Sequence, residues 1–248
     1  MKHHYFFLTL LSILLLPQAL EAQTAETIRT GRPGQSIGAF SLGDGLFQIQ
    51  SGVYYNPVEF DGFDQTIYGN NTVLRYGITE LFEISGVFDQ VEFRSDEIAD
   101  MSRTSIQLGG RYHLLDQQGI IPNVALQSRL SFSDLSDAQV GTVSILSTTI
   151  NVLDNYTFFT NWKMITMDGV DEAAYAYTVN LSRSLSDRIG VFVEMYGSLS
   201  DFSSNFDTGL GYLVNDDLQL DISFGIQDQD GVQDRYIDAG ISWRITPD

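Results

Sequence analysis

Charged residues interrupt the apolar stretches of this sequence at positions where they could do chemistry: Arg75, Arg111, Arg129, Lys163 and Arg244, with Glu83, Asp89, Glu194, Asp207, Asp221 and Asp238. Each alternates with large apolar neighbours. If the segments are extended, one face carries charge and the other carries hydrocarbon. Charges of both signs along one face support two uses. They can hold the polar groups of a passing solute, or they can pair with each other as a ladder that fills a narrow interior. Both uses need pairing, because an unpaired buried charge is costly. Glu194 is the leading single candidate for solute contact, since Val191, Val193 and Met195 surround it.

Enzymatic chemistry is the rival class. A nucleophile or water needs a base, and beyond His3 and His4 the chain offers only His113. That residue sits near the short-turn end of its segment, away from the exterior, and reads as a satisfied interior residue. With no cysteine, thiol catalysis and cysteine metal sites are excluded. No HExxH, GxSxG or phosphate loop occurs. Asp228-Gln229-Asp230-Gly231 echoes part of a calcium loop but lacks the downstream bidentate Glu. The expectation is a non-enzyme with no cofactor and no metal site.

The elements that must position these charges follow from periodicity. From Phe47 onward, segments of about ten residues alternate apolar with polar or small, separated by turn chemistry. They are Phe47–Tyr55, Thr72–Ile78, Phe82–Phe88, Thr104–Leu114, Val124–Phe132, Thr142–Val152, Tyr156–Met164, Ala174–Ser182, Ile189–Gly197, Phe206–Leu213, Leu218–Ile226 and Tyr236–Ile245. The sixth is the least clean, because Val143 and Ile145 fall on its polar face. Gly109, Gly209, Gly211 and Gly225 share the charged parity and would leave space there.

The links alternate too. Thr79–Leu81, Leu153–Asn155, Ser184–Asp187 and Val214–Asp217 are tight, whereas Asn56–Asn71, Gln90–Arg103 and Gln227–Arg235 are long and acidic. Tyr76, Phe82, Tyr112, Tyr156, Tyr212 and Trp243 lie toward the short-turn ends, and Tyr55, Phe132, Trp162 and Tyr175 toward the other. An even number of strands, short turns on one rim, long loops on the other and two aromatic girdles predict a transmembrane antiparallel up-and-down β-barrel of about twelve strands. Its short turns would be periplasmic and its acidic loops extracellular. A soluble sandwich or lipocalin-like barrel would share the period of two but turn its apolar face inward.

The formal net charge of −19 opposes nucleic-acid binding. Residues 1–22 read as a secretory signal peptide, with Lys2, an apolar run from Phe6 to Leu16 and Ala22 before the cut. Residues 23–44 are Gly-rich and lack strand periodicity. They either hang in the periplasm or enter the barrel as a plug.

Thr30-Gly31-Arg32-Pro33-Gly34-Gln35, Leu42-Gly43 and the opening strand Leu46–Gly52 resemble the start of Bacteroidota outer-membrane proteins in the group named for the MetA pathway of phenol degradation. Gly190–Gly197, Leu218–Asp221 and Ser242–Arg244 are similar to that group as well. The resemblance implies a transporter of the cell outer membrane, passively taking up small hydrophobic or aromatic molecules. Its partners would be outer-membrane lipid, the solute and the barrel-assembly machinery. The chain departs from the usual aromatic C-terminus, ending Trp243-Arg244-Ile245-Thr246-Pro247-Asp248. Two other readings are a structural or adhesive barrel acting through its acidic loops, and a lipid-modifying enzyme using His113.

Overall fold

The computed structural model describes residues 26–60, 63–95, 99–133, 139–200, 203–229 and 232–246. The expected signal segment lies outside them. So do the carboxylates of Asp96, Glu97 and Asp230, which belong to the expected acidic loops.

Twelve antiparallel strands follow one another along the chain: β1 (Phe47–Phe60), β2 (Phe63–Gly77), β3 (Phe82–Ser95), β4 (Met101–Leu115), β5 (Asn123–Ser133), β6 (Gln139–Leu153), β7 (Tyr156–Met167), β8 (Ala174–Ser184), β9 (Ile189–Ser198), β10 (Asn205–Asn215), β11 (Leu218–Gln229) and β12 (Val232–Ile245). Each pairs with its neighbours in sequence, and β1 closes on β12 through Phe47↔Ile245 to Tyr55↔Ile237. Closure leaves no sheet edge, which a strand surrounded by hydrocarbon requires. The weak sixth segment is a full strand.

Burial identifies the solvent on each side. Gln48, Glu83, Thr149, Asn161 and Ser242 are fully buried inside, while Val53, Leu108, Leu130, Val193, Phe206 and Phe224 are each more than half exposed outside. Polar inside and apolar outside is the reverse of a water-soluble barrel and matches a lipid-facing belt. Tyr76, Tyr112 and Trp243 toward one rim, and Tyr55, Trp162 and Tyr175 toward the other, are all exposed.

The strands run further than the alternation of large apolar residues. The expected loop Asn56–Asn71 is mostly a continuing hairpin, with Asn56↔Ile67 through Phe60↔Phe63 in register. Gln90–Ser95 and Met101–Arg103 likewise extend β3–β4, and Gln227–Gln229 and Val232–Arg235 extend β11–β12. Beyond the lipid both faces of a ribbon meet water, so pairing persists after the apolar period stops. Register shifts interrupt β4, β6 and β10 close to the short-turn rim, between His113 and Leu115, Asn151 and Leu153, and Leu213 and Asn215.

Candidate functional site: a lumen crossed by an N-terminal strap

The chain before β1 lies inside the barrel. Ile28 donates its backbone N–H to the Asp216 carbonyl at the short-turn rim (2.6 Å), and the Thr30 hydroxyl meets that of Ser242 on β12 (3.0 Å). The strap then traverses the lumen. Gln35 N–H donates to Glu194 Oε1 on β9 (2.5 Å), the Ser36 hydroxyl meets Thr178 on β8 (2.7 Å), and Asn161 on β7 accepts from Ile37 N–H (2.8 Å) and donates to its carbonyl (2.9 Å). Ala39 N–H donates to Thr149 on β6 (2.9 Å), and its carbonyl accepts from His113 Nδ1 on β4 (2.7 Å). Gly43 and Gly45, with φ of 103° and 70°, turn the chain into β1, where only glycine sits without strain. The two limbs of the strap meet where the Arg29 guanidinium lies 4.3 Å from the Phe40 ring centre.

A segment without strand pairing leaves its peptide groups needing partners. The barrel supplies them from uncharged inward side chains such as Gln48, Gln50, Thr149, Asn161 and Gln219, which donate to or accept from Arg29 through Ala39. These polar residues were not singled out by sequence, because alternation shows only which way they point.

The charged candidates divide into two walls. On β2–β5, Arg75 grips Glu83 in a bidentate pair (Nε 2.9 Å, Nη2 2.7 Å), and the Arg111 guanidinium stands 3.9 Å from the same carboxylate. Arg111 donates to Gln127 Oε1 (2.8 Å) and to the strap carbonyls of Gly38 and Phe40 (3.3 and 3.1 Å). Arg75 also reaches the Arg29 carbonyl (3.2 Å), and Arg129 donates to Ser85 and Gln127. Asp89 lies above this wall, accepting from Asn71 and Ser105. Three arginines around one glutamate make the wall positive.

The facing wall, β9–β12, is negative. Glu194 and Asp207 are direct cross-strand partners. Asp207 Oδ2 accepts from the Tyr236 hydroxyl (2.6 Å), while Glu194 takes Gln35 N–H and Asn180 Nδ2. Asp221 and Asp238 together hold one cation, Arg32 of the strap, at 3.1 Å from Asp221 Oδ1 and in direct contact with Asp238 Oδ1. Lys163 stands apart on β7, 3.4 Å from the Gln35 carbonyl. Arg244 belongs to the rim, paired with Asp217 (2.6 Å) and with the Glu26 carbonyl (3.0 Å). His113 has Asp116 on its second ring nitrogen (2.9 Å) and serves to hold the strap.

The strap matches this polarity. It turns carbonyls toward the arginines, and N–H groups and a guanidinium toward the carboxylates. Below it, a cavity of about 680 Å³ opens against β7–β11, with Arg32, Phe159, Asn180, Phe192 and Gln219 in its lining. Phe159 and Phe192 come from the polar parity of their strands, so the expectation of large apolar groups outside only was too strict there.

Among the solved structures that share the fold are three outer-membrane proteins. An outer membrane channel from Pseudomonas putida F1 superposes with a TM-score of 0.66 at 11% identity, over 86% of this chain and 99% of that one. The translocator domain of the autotransporter NalP from Neisseria meningitidis gives 0.55 at 14% identity, over 82% and 89%. The KdgM porin in complex with disordered oligogalacturonate gives 0.55 at 10% identity, over 79% and 99%. At such identities the likeness is one of fold, that of an outer-membrane barrel. No curated protein sequence matches the chain. The family described as "Putative MetA-pathway of phenol degradation" matches residues 30–245, from the strap to the last residue of β12, and the chain belongs to that family.

Proposed function

We propose that this protein is a passive outer-membrane channel for small molecules, with its short turns and strap on the periplasmic side. The observation that carries the reading is how the strap is held. From Thr30 to Ala39 its bonds to the wall use side chains on one or both sides, not a strand ladder. It can therefore shift without opening the sheet, and such a shift would extend the 680 Å³ cavity past the strap.

An aromatic or otherwise hydrophobic cargo is supported by the family description and by Phe159 and Phe192 at the cavity. The otherwise polar lumen favours cargo that also carries a polar group.

A clean test uses the absence of cysteine. Ser36→Cys with Thr178→Cys replaces two hydroxyls 2.7 Å apart and pins the strap to β8 when oxidised. With the leak of protein-free liposomes subtracted, oxidised protein should pass a small aromatic such as benzamide far more slowly than the same protein after reduction. Equal uptake in both states would sink the moving-strap channel.

A further inference from the structure

The geometry points to the seat of Arg32 as a cation-binding subsite for the cargo, specific for a planar guanidinium or amidinium group. This rests on the channel reading above and goes on to name the polar end of the solute.

The seat is built from both ends of the sheet. Asp221 on β11 and Asp238 on β12 present two carboxylates to one guanidinium. Gly52 on β1 and Gly240 on β12 are cross-strand partners that form its floor. A Cβ at either glycine would overlap the guanidinium atoms of Arg32. A side chain at either position would therefore push the guanidinium off this floor. A flat cation lying on bare backbone, with carboxylates at its edge, has the geometry that guanidinium recognition needs.

The carboxylates are not exhausted by Arg32. Asp221 is only 6% exposed, and its Oδ2 has no hydrogen-bond partner; Arg32 Nε also lacks one. The strap thus fills the seat without using all of its capacity. A ligand able to donate to that second oxygen gains a bond that Arg32 leaves unmade.

The surroundings fit a cargo with an apolar body. Arg32 shares the cavity lining with Phe159 and Phe192. Phe192 is buried, and its ring packs at Gly34, two residues along the strap from Arg32. The cavity reaches Arg32 and not the two carboxylates behind it, so a small aromatic amidine with its ring in the cavity reaches Asp221 and Asp238 by displacing the Arg32 guanidinium. Because the same carboxylates anchor the strap, such a solute competes with Arg32 and loosens the strap as it binds. A carboxylate-bearing analogue would meet the negative wall of Glu194, Asp207, Asp221 and Asp238 and be refused.

Benzamidine, benzamide and benzoate share one size and differ in charge, so they separate the causes. In liposomes carrying the full chain, benzamidine uptake should exceed benzamide uptake by about tenfold, the scale of one charge-assisted bond. Asp221→Asn with Asp238→Asn should abolish that preference. Calorimetric titration of the Arg32→Ala variant, whose seat is vacated, should show benzamidine binding about tenfold tighter than in the natural chain, with benzamide unchanged. If Arg32→Ala binds benzamidine no better than benzamide, the seat is not a cation subsite. If no variant passes any solute faster than protein-free liposomes do, the channel reading fails, while the titration still decides the seat.

Discussion

Glu83 shows how a charge is tolerated inside this barrel. Its side chain is fully buried, yet both oxygens are taken by Arg75, and Arg111 stands beyond them. Removing one member of such a group leaves the others buried and uncompensated. Glu83→Gln keeps the shape and removes the charge. It should lower stability by about 3–5 kcal/mol, read from urea unfolding in lipid vesicles. A loss below about 1 kcal/mol would mean that water reaches Arg75 and Arg111 and that the wall is hydrated. Sequence placed these three residues on one face. It could not show that Arg111 spends its remaining donors on Gln127, Gly38 and Phe40, because those partners lie 16, 73 and 71 residues away.

At the scale of the strand, the alternation is a readout of two solvents. Val193 is 58% exposed at the middle of β9, while Phe192 and Glu194 beside it are buried. Val193→Arg should destabilise the barrel by about 2–4 kcal/mol, because arginine there meets hydrocarbon. Leu185, in the turn between β8 and β9, is also exposed. Leu185→Arg should cost only about 0–1 kcal/mol at the interface. Unfolding free energies of the two variants in the same vesicles check the contrast, and equal costs would place the β8–β9 turn inside the membrane. Where lipid ends, so does this code. That is why the alternation located all twelve strands yet ended β1 at Tyr55, five residues before Phe60.

For the whole molecule, the central relation is between the closed sheet and the strap. The ladder runs from β1 round to β12 without using residues 26–44. A chain lacking 26–40 should therefore still form a barrel, resistant to detergent unfolding on gels, while its conductance in planar bilayers rises well above that of the full chain. A truncated chain that folds and stays as closed as the full one would show that the walls alone seal the lumen. The strap also supplies a partner to each wall, the charge of Arg32 to the acidic one and the Gly38 and Phe40 carbonyl dipoles to the basic one. Its loss should make the channel more sensitive to the charge of the solute than the full chain is, an effect that salt would weaken.

The sequence by itself determined the barrel, a strand number of about twelve, the alternation of faces and the inward direction of Arg75, Glu83, Arg111, Glu194, Asp207, Asp221 and Asp238. These depend on the period of two and on solvent, both local and both written residue by residue. Only the tertiary structure decided between a hanging and an inserted N-terminal segment, because residues 26–44 have no period to read. Their place is set by hydrogen bonds to side chains as far as 218 residues away, such as the Glu26 carbonyl to Arg244. The division of the lumen into a positive and a negative wall is likewise tertiary. It appears only when closure brings β2–β5 and β9–β12 to face each other across one interior, with Arg32 held between Asp221 and Asp238.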